Sequence, residues 1–139
     1  RGDDQALTDI QNLSFDGSFN FSPNSLKEIH YRANMSNTSY PGIIFLMHNH
    51  TIAGYNWTLT MPIANGTKGI ISMIGIHQSY RGQGLGKSLL VAGLKHLVSI
   101  GITFVELEVD ESNEAAIRLY KSMGFESIHR LHWFHLPLR

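Results

Sequence analysis

The chain has 139 residues, 11 Lys+Arg balanced by 11 Asp+Glu, no cysteine and 42% hydrophobic residues. This describes one globular domain whose folding buries roughly two-thirds of the unfolded surface. The lack of cysteine excludes disulfides, thiolate zinc sites and a cysteine nucleophile, and the lack of basic excess argues against a nucleic-acid partner held by counterion release.

No run approaches 18 apolar residues, and Arg1-Gly2-Asp3-Asp4 is no export signal, so a cytoplasmic chain without a membrane partner is expected. Asn-x-Ser/Thr sequons begin at Asn12, Asn20, Asn34, Asn37, Asn49, Asn56 and Asn65. Taken literally they would suit a secreted glycoprotein, but without an export signal they read as the chance product of a chain rich in Asn, Ser and Thr. The absence of an initiator methionine suggests a domain cut from a longer protein, or processing.

In chain order, Gln5 to Phe15 places Ala6, Leu7, Ile10, Leu13 and Phe15 near one face and predicts a short amphipathic helix. A second helix is expected from Ser22-Pro23, with Ser22 as cap and Pro23 in the first turn, to about Ala33. Ile43–Met47 and Thr51–Met61 read as a hairpin, and Ala64 to Lys68, containing Asn65-Gly66, as the next turn. A third strand is expected over Ile70–Ile76. Leu85, Leu89, Leu90, Leu94, Leu97 and Val98 then mark a long helix that stops at Gly101. Phe104–Val109 is a fourth strand, Asp110 to Asn113 cap a helix over Glu114–Met123 that ends at Gly124, and Phe125–Leu136 reads as one or two further strands. The strand-helix alternation of the C-terminal half predicts an α/β fold, a sheet covered by helices.

The chemistry concentrates in His77-Gln78-Ser79-Tyr80-Arg81-Gly82-Gln83-Gly84-Leu85-Gly86-Lys87-Ser88, which leaves a strand and enters a helix. Glycines there let backbone approach a ligand, and the helix start aims unpaired N–H groups at one spot, a cradle for phosphate or pyrophosphate. A P-loop needs four residues between its first glycine and Gly-Lys-Ser, whereas Gly82 to Gly86 encloses three. The dinucleotide pattern Gly-x-Gly-x-x-Gly fails because Lys87 or Leu89 stands at the third glycine. Arg/Gln-x-x-Gly-x-Gly/Ala is satisfied by Arg81, Gly84 and Gly86, and a ligand-free connection is the bland alternative.

That loop resembles the pyrophosphate loop of the Gcn5-related N-acetyltransferase (GNAT) superfamily. Leu107-Glu108-Val109, Asn113, Ala116, Leu119-Tyr120 and Gly124-Phe125 resemble the same superfamily's strand and following helix, in the right order about 30 residues on. A weaker likeness at Gly54-Tyr55-Asn56-Trp57-Thr58 is to the acetyltransferase domains of mycothiol synthase, although Gly69-Ile70 stands where those domains tend to carry an acid. Asp3-Asp4-Gln5-Ala6-Leu7 resembles the start of the superfamily's first helix, with no room for the strand that precedes it.

The resemblance implies the acyl-CoA N-acyltransferase fold, a mixed, mainly antiparallel central sheet with helices on both faces, in a single domain over residues 1–139. It implies acetyl-CoA as cosubstrate, no metal, and an amine-bearing small molecule or peptide as acceptor; a homodimer or a tandem acetyltransferase partner is compatible with it. The cofactor would contact Ile74, Gly75 and Ile76 along a splayed strand edge, Arg81, Gly82, Gln83, Gly84, Leu85, Gly86, Lys87 and Ser88 in the loop, and Asn113 and Tyr120 on the later helix.

Acyl transfer to an amine needs a neutral amine, a polarised carbonyl and a proton for the leaving thiolate. At pH 7 roughly 0.04% of a lysine side chain is neutral but about 10–15% of an α-amino group, so the acceptor sets how much a base must do. Glu106 and Glu108 alternate with apolar residues and are expected on one strand face. Likeness to ribosomal-protein N-terminal acetyltransferases makes Glu108 the base, with Glu106 second, and the superfamily likeness makes Tyr120 the acid. Both glutamates could be structural, Tyr120 could be core, and Asn113 could be a helix cap. Tyr40, Tyr55, Trp57 and Trp133 either line an acceptor pocket or belong to the core, and the spacing of His48, His50, His129, His132 and His135 does not suit a metal site. A CoA-binding domain without turnover is the alternative to an enzyme.

Overall fold

The computed structural model describes residues 3–18, 21–132, 134 and 136–138. Two compact units, residues 1–108 and 109–139, make up the chain. In the first, α1 (Asp4–Phe15) and α2 (Leu26–Ala33) precede β1 (Ile43–His48), β2 (Thr51–Ile63), β3 (Gly66–Ile76), α3 (Leu85–Ser99) and β4 (Val105–Leu107). The sheet order is β1-β2-β3-β4, with the first two pairings antiparallel and β3–β4 parallel, which is the expected mixed, mainly antiparallel sheet. No helix among the described residues is long and apolar enough to cross a membrane.

Alternation along β2 decides what covers each face. Tyr55 and Trp57 are buried with Leu7 and Ile10 of α1 and Ile29 and Ala33 of α2. Gly54 and Asn56 face the other way, where Asn56 Nδ2 donates to the Leu89 carbonyl of α3 at 2.9 Å. Helices therefore lie on both faces. Asn56, one of the sequon asparagines, is completely buried by this arrangement.

Several boundaries differ from the sequence reading. The buried stripe of α1 is Leu7, Ile10, Gln11 and Ser14, at helical spacing, while Leu13 stands half exposed. The second helix starts at Leu26 rather than at Ser22-Pro23, because Ser25 and Glu28 form a reciprocal capping box that outweighs the Ser-Pro signal. Strands β2 and β3 run on to Ile63 and back from Gly66, so the turn shrinks to Ala64-Asn65, with Gly66 at φ +137° inside the strand. In β3 the partner of Trp57 is Met73 and that of Thr58 is Ile71, which leaves Ser72 as an unpaired bulge residue.

Strand β4 is three residues long instead of spanning Phe104–Val109, because only Gly69, Ile70 and Ile71 of β3 pair with it. Helix α3 stops as expected: Gly101 at φ +87° lets its own N–H reach Val98 O and the Ile102 N–H reach Leu97 O, both at 3.0 Å.

In the second unit, α4 (Glu114–Ser122) is capped by Asn113, whose side chain accepts from the Ala116 N–H at 3.2 Å. It ends like α3, with Gly124 at φ +94° and the Phe125 N–H on Tyr120 O at 3.0 Å. The strands expected over Phe125–Leu136 do not form among the described residues, where Ile128, Leu131, Phe134 and Leu136 are exposed with no ladder to pair with. Trp133 and His135 lie outside the described residues.

Candidate active site

The site in the first unit begins at the end of β3. The His77 N–H donates to Ala53 O of β2 at 2.8 Å. By the alternation of an antiparallel ladder, Gly75 also addresses β2, and Ile74 and Ile76 turn their backbone N–H and C=O outward. Beyond Ile71 that outward edge has no strand partner among the described residues, since β4 stops at Leu107. Gly75 itself is needed for packing, because a Cβ there would come within 2.9 Å of Ser14 and 3.0 Å of the Tyr55 ring.

A short 3-10 turn, Gln78–Tyr80, leads into the glycine loop. Gly82 and Gly84 lie at φ +78° and +74°, with open space where each Cβ would stand. Their requirement is therefore conformational, not steric. Gly84 is the N-cap of α3 and provides no side chain to receive the first N–H groups. The N–H groups of Gly82 to Lys87 meet no acceptor among the described residues, which gives a row of donors at the positive end of a 15-residue helix. Lys87 and Ser88 are exposed on its first turn, with Gln83 in the turn before it.

Arg81 is placed differently from a phosphate ligand. Its Nη2 donates to Ser14 O in the last turn of α1 at 2.5 Å and its Nε to Ile76 O at 3.1 Å. The guanidinium therefore braces the loop between α1 and β3 and stabilises the negative end of α1. The Gln78 amide adds a bond to Asp16 O at 3.4 Å.

The two glutamates part company. Glu106 lies within β4 and accepts from Lys68 Nζ at 2.6 Å, a cross-strand pair that requires the register to be known. Glu108 lies past the strand end, exposed, and has no bonded partner among the described residues. In the second unit Tyr120 is half-buried on α4, and desolvation pushes its hydroxyl pKa up. Its ring packs 6.0 Å from that of Phe125 across the helix end. Tyr55 and Trp57 are core residues. Among the described residues, no three His, Asp or Glu side chains gather as a metal site. A hollow of about 240 Å³ beside His96 and Ile100 sits at the far end of α3 from the loop and is separate from it.

Residues 5–125 match the acetyltransferase (GNAT) family. The chain belongs to that family. Members of this family use acetyl-CoA. A mycothiol acetyltransferase of Thermobispora bispora is 46% identical over 78 residues, which are 54% of this chain and 26% of that protein. The chain thus matches about a quarter of the length of such relatives. Among solved structures, the ribosomal-protein-S18-alanine N-acetyltransferase of Escherichia coli superposes with a TM-score of 0.67 at 28% identity, over 91% of this chain and 74% of that one. An aminoglycoside acetyltransferase from an uncultured soil metagenomic sample has a TM-score of 0.77 at 16% identity, covering 99% and 91% of the two chains, and shares the fold.

Proposed function

We propose that this GNAT chain is an acetyl-CoA-dependent N-acetyltransferase in which an acceptor amine attacks the thioester directly. One observation carries the reading: the outward backbone edge at Ile74 and Ile76 leads into the N–H groups of Gly82 to Lys87, which have no partner among the described residues. An extended, amide-bearing arm ending in a diphosphate matches both halves, bonding the strand edge with one and the helix start with the other. Arg81, Gln83, Leu85, Gly86 and Ser88 shape that turn, and by family resemblance Asn113 and Tyr120 contribute from α4.

Of the two carboxylates, Glu106 is occupied by Lys68, so Glu108 takes the amine proton, directly or through water. As the C–N bond forms and the C–S bond breaks, the thiolate takes the Tyr120 hydroxyl proton. A tyrosine hydroxyl is protonated at neutral pH, the state a donor needs, and desolvation pushes the pKa of this one further up. The acceptor is a primary amine on a small molecule or peptide.

Thermal unfolding with and without acetyl-CoA tests the binding half: at about 100 times Kd the ligand should add ~2.7 kcal/mol and raise the midpoint by several degrees. Tyr120→Phe should retain that shift while kcat falls ~10²–10⁴-fold. No shift at millimolar acetyl-CoA in folded protein overturns the reading. A shift without turnover of any amine identifies a CoA-binding module instead.

A further inference from the structure

We propose that a cleft between α2 and the β2–β3 ladder recognises the carboxylate of an acceptor that carries both an amine and an acid. The inference rests on the acetyltransferase reading and narrows its substrate class. The cleft, about 90 Å³, is lined by Arg32, Met35, Thr38, Trp57, Ser72 and Met73 among others, and no acidic side chain is among its lining residues.

Two of its polar groups can only donate. Trp57 is 3% exposed, and its indole N–H has no acceptor among the described residues. A buried donor left this way is costly, and a ligand oxygen that reaches it removes that cost. Arg32 has no ion pair among the described residues. Glu28, one turn earlier and the natural partner, spends its carboxylate on the Ser25 N–H at 2.7 Å and on the Ser25 hydroxyl. A guanidinium fork on an apolar-floored cleft, with a buried unpaired N–H in one of its lining residues, matches a carboxylate, with its two oxygens and delocalised charge.

Position ties the cleft to the reaction. Ser72 and Met73 mark the point where β3 parts from β4. From Ile76 back to Ser72 is ~13 Å along a strand, the direction in which an arm leaving the glycine loop and following Ile76 and Ile74 would run. A carboxylate held by Arg32 therefore leaves its amine beside the reacting end of that arm. The volume admits a carboxylate and a few methylenes.

The test is a length series of ω-amino acids, glycine to 6-aminohexanoate, each against the corresponding amide, read as CoA release at saturating acetyl-CoA. Arg32 is exposed, so Arg32→Gln leaves the core intact. At least one acid should exceed its amide tenfold or more in kcat/KM. Arg32→Gln should erase that preference without changing the thermal shift given by acetyl-CoA, and Arg32→Lys should restore part of it. If no acid is preferred over its amide, or if the preference survives Arg32→Gln, while acetyl-CoA still stabilises the protein, the carboxylate assignment fails and the acetyltransferase reading stands. If no acid is turned over, the carboxylate assignment fails and turnover of other amines decides between enzyme and CoA-binding module. If acetyl-CoA gives no stabilisation, both fail.

Discussion

Arg81 sits in the loop proposed to hold an anion, yet its guanidinium is turned toward two backbone carbonyls, Ser14 O and Ile76 O. Its contribution to an anion is then geometric: it fixes the turn that aims the N–H groups. Arg81→Ala should therefore lower stability by about 1–3 kcal/mol and weaken acetyl-CoA at least tenfold, at low and high salt alike. Lys87→Ala, on an exposed side chain, should leave stability unchanged and weaken acetyl-CoA in a salt-sensitive way. Calorimetric titration at two ionic strengths separates the two. Tyr120 shows a similar double use, since it is both the tyrosine of the family motif and the residue whose carbonyl receives the Phe125 N–H at the end of α4. The Tyr...Gly-Phe pattern is thus a helix stop as well as a site signature.

At the scale of elements, the close approach of α3 to β2 hangs on Gly93, where an added Cβ would collide with the Asn56 amide. Gly93→Ala should cost about 1–3 kcal/mol by overpacking and disturb the Asn56 bond to Leu89 O. Gly84→Ala, with open space around it, should cost only the ~1–2 kcal/mol of a left-handed residue, while disturbing the anion cradle. Urea denaturation of both variants, beside acetyl-CoA titration, distinguishes a packing glycine from a conformational one. The strands, helices and glycine loop were legible because periodicity and chain-reversal signals are local. Ser25-x-x-Glu28 was equally local, but it competed with a proline signal three residues earlier. What could not be read were features that depend on register: the Ser72 bulge, the short β4, the Lys68–Glu106 pair, and a carbonyl on α1 as the partner of Arg81. The apolar stretch after Gly124 has strand composition but forms no strand among the described residues, and composition alone could not reveal that.

For the molecule as a whole, alkaline pH is the informative stress. Burial pushes the hydroxyls of Tyr55 and Tyr120 above the ordinary tyrosine value of 10.0. Folded-state pKa values that are raised give stability that is complete below about pH 10 and is lost as pH climbs toward them. Above pH 10 the unfolded chain releases protons that the folded one keeps, and Tyr55 alone should lower the unfolding free energy by about 1.4 kcal/mol per pH unit. Denaturant titrations between pH 8 and 12 should show that slope, and Tyr55→Phe should flatten it.

The odd residue in β3 has a bearing on which changes of chain length the family member can survive. With Ser72 present, Gly69 looks toward Leu97 of α3 and Gly75 toward Ser14 of α1, although six residues of regular strand would send both the same way. Deleting that one serine would leave five regular steps between them, which also sends them to opposite faces, so the bulge would close with the pairing of Trp57 with Met73 and of Thr58 with Ile71 unchanged. Gly75 would keep the tight gap beside α1. Exchanging Ser72 for another residue leaves the frame intact. This stretch therefore tolerates both an altered side chain and the loss of its one extra residue, whereas a second deletion would turn the strand's last third over.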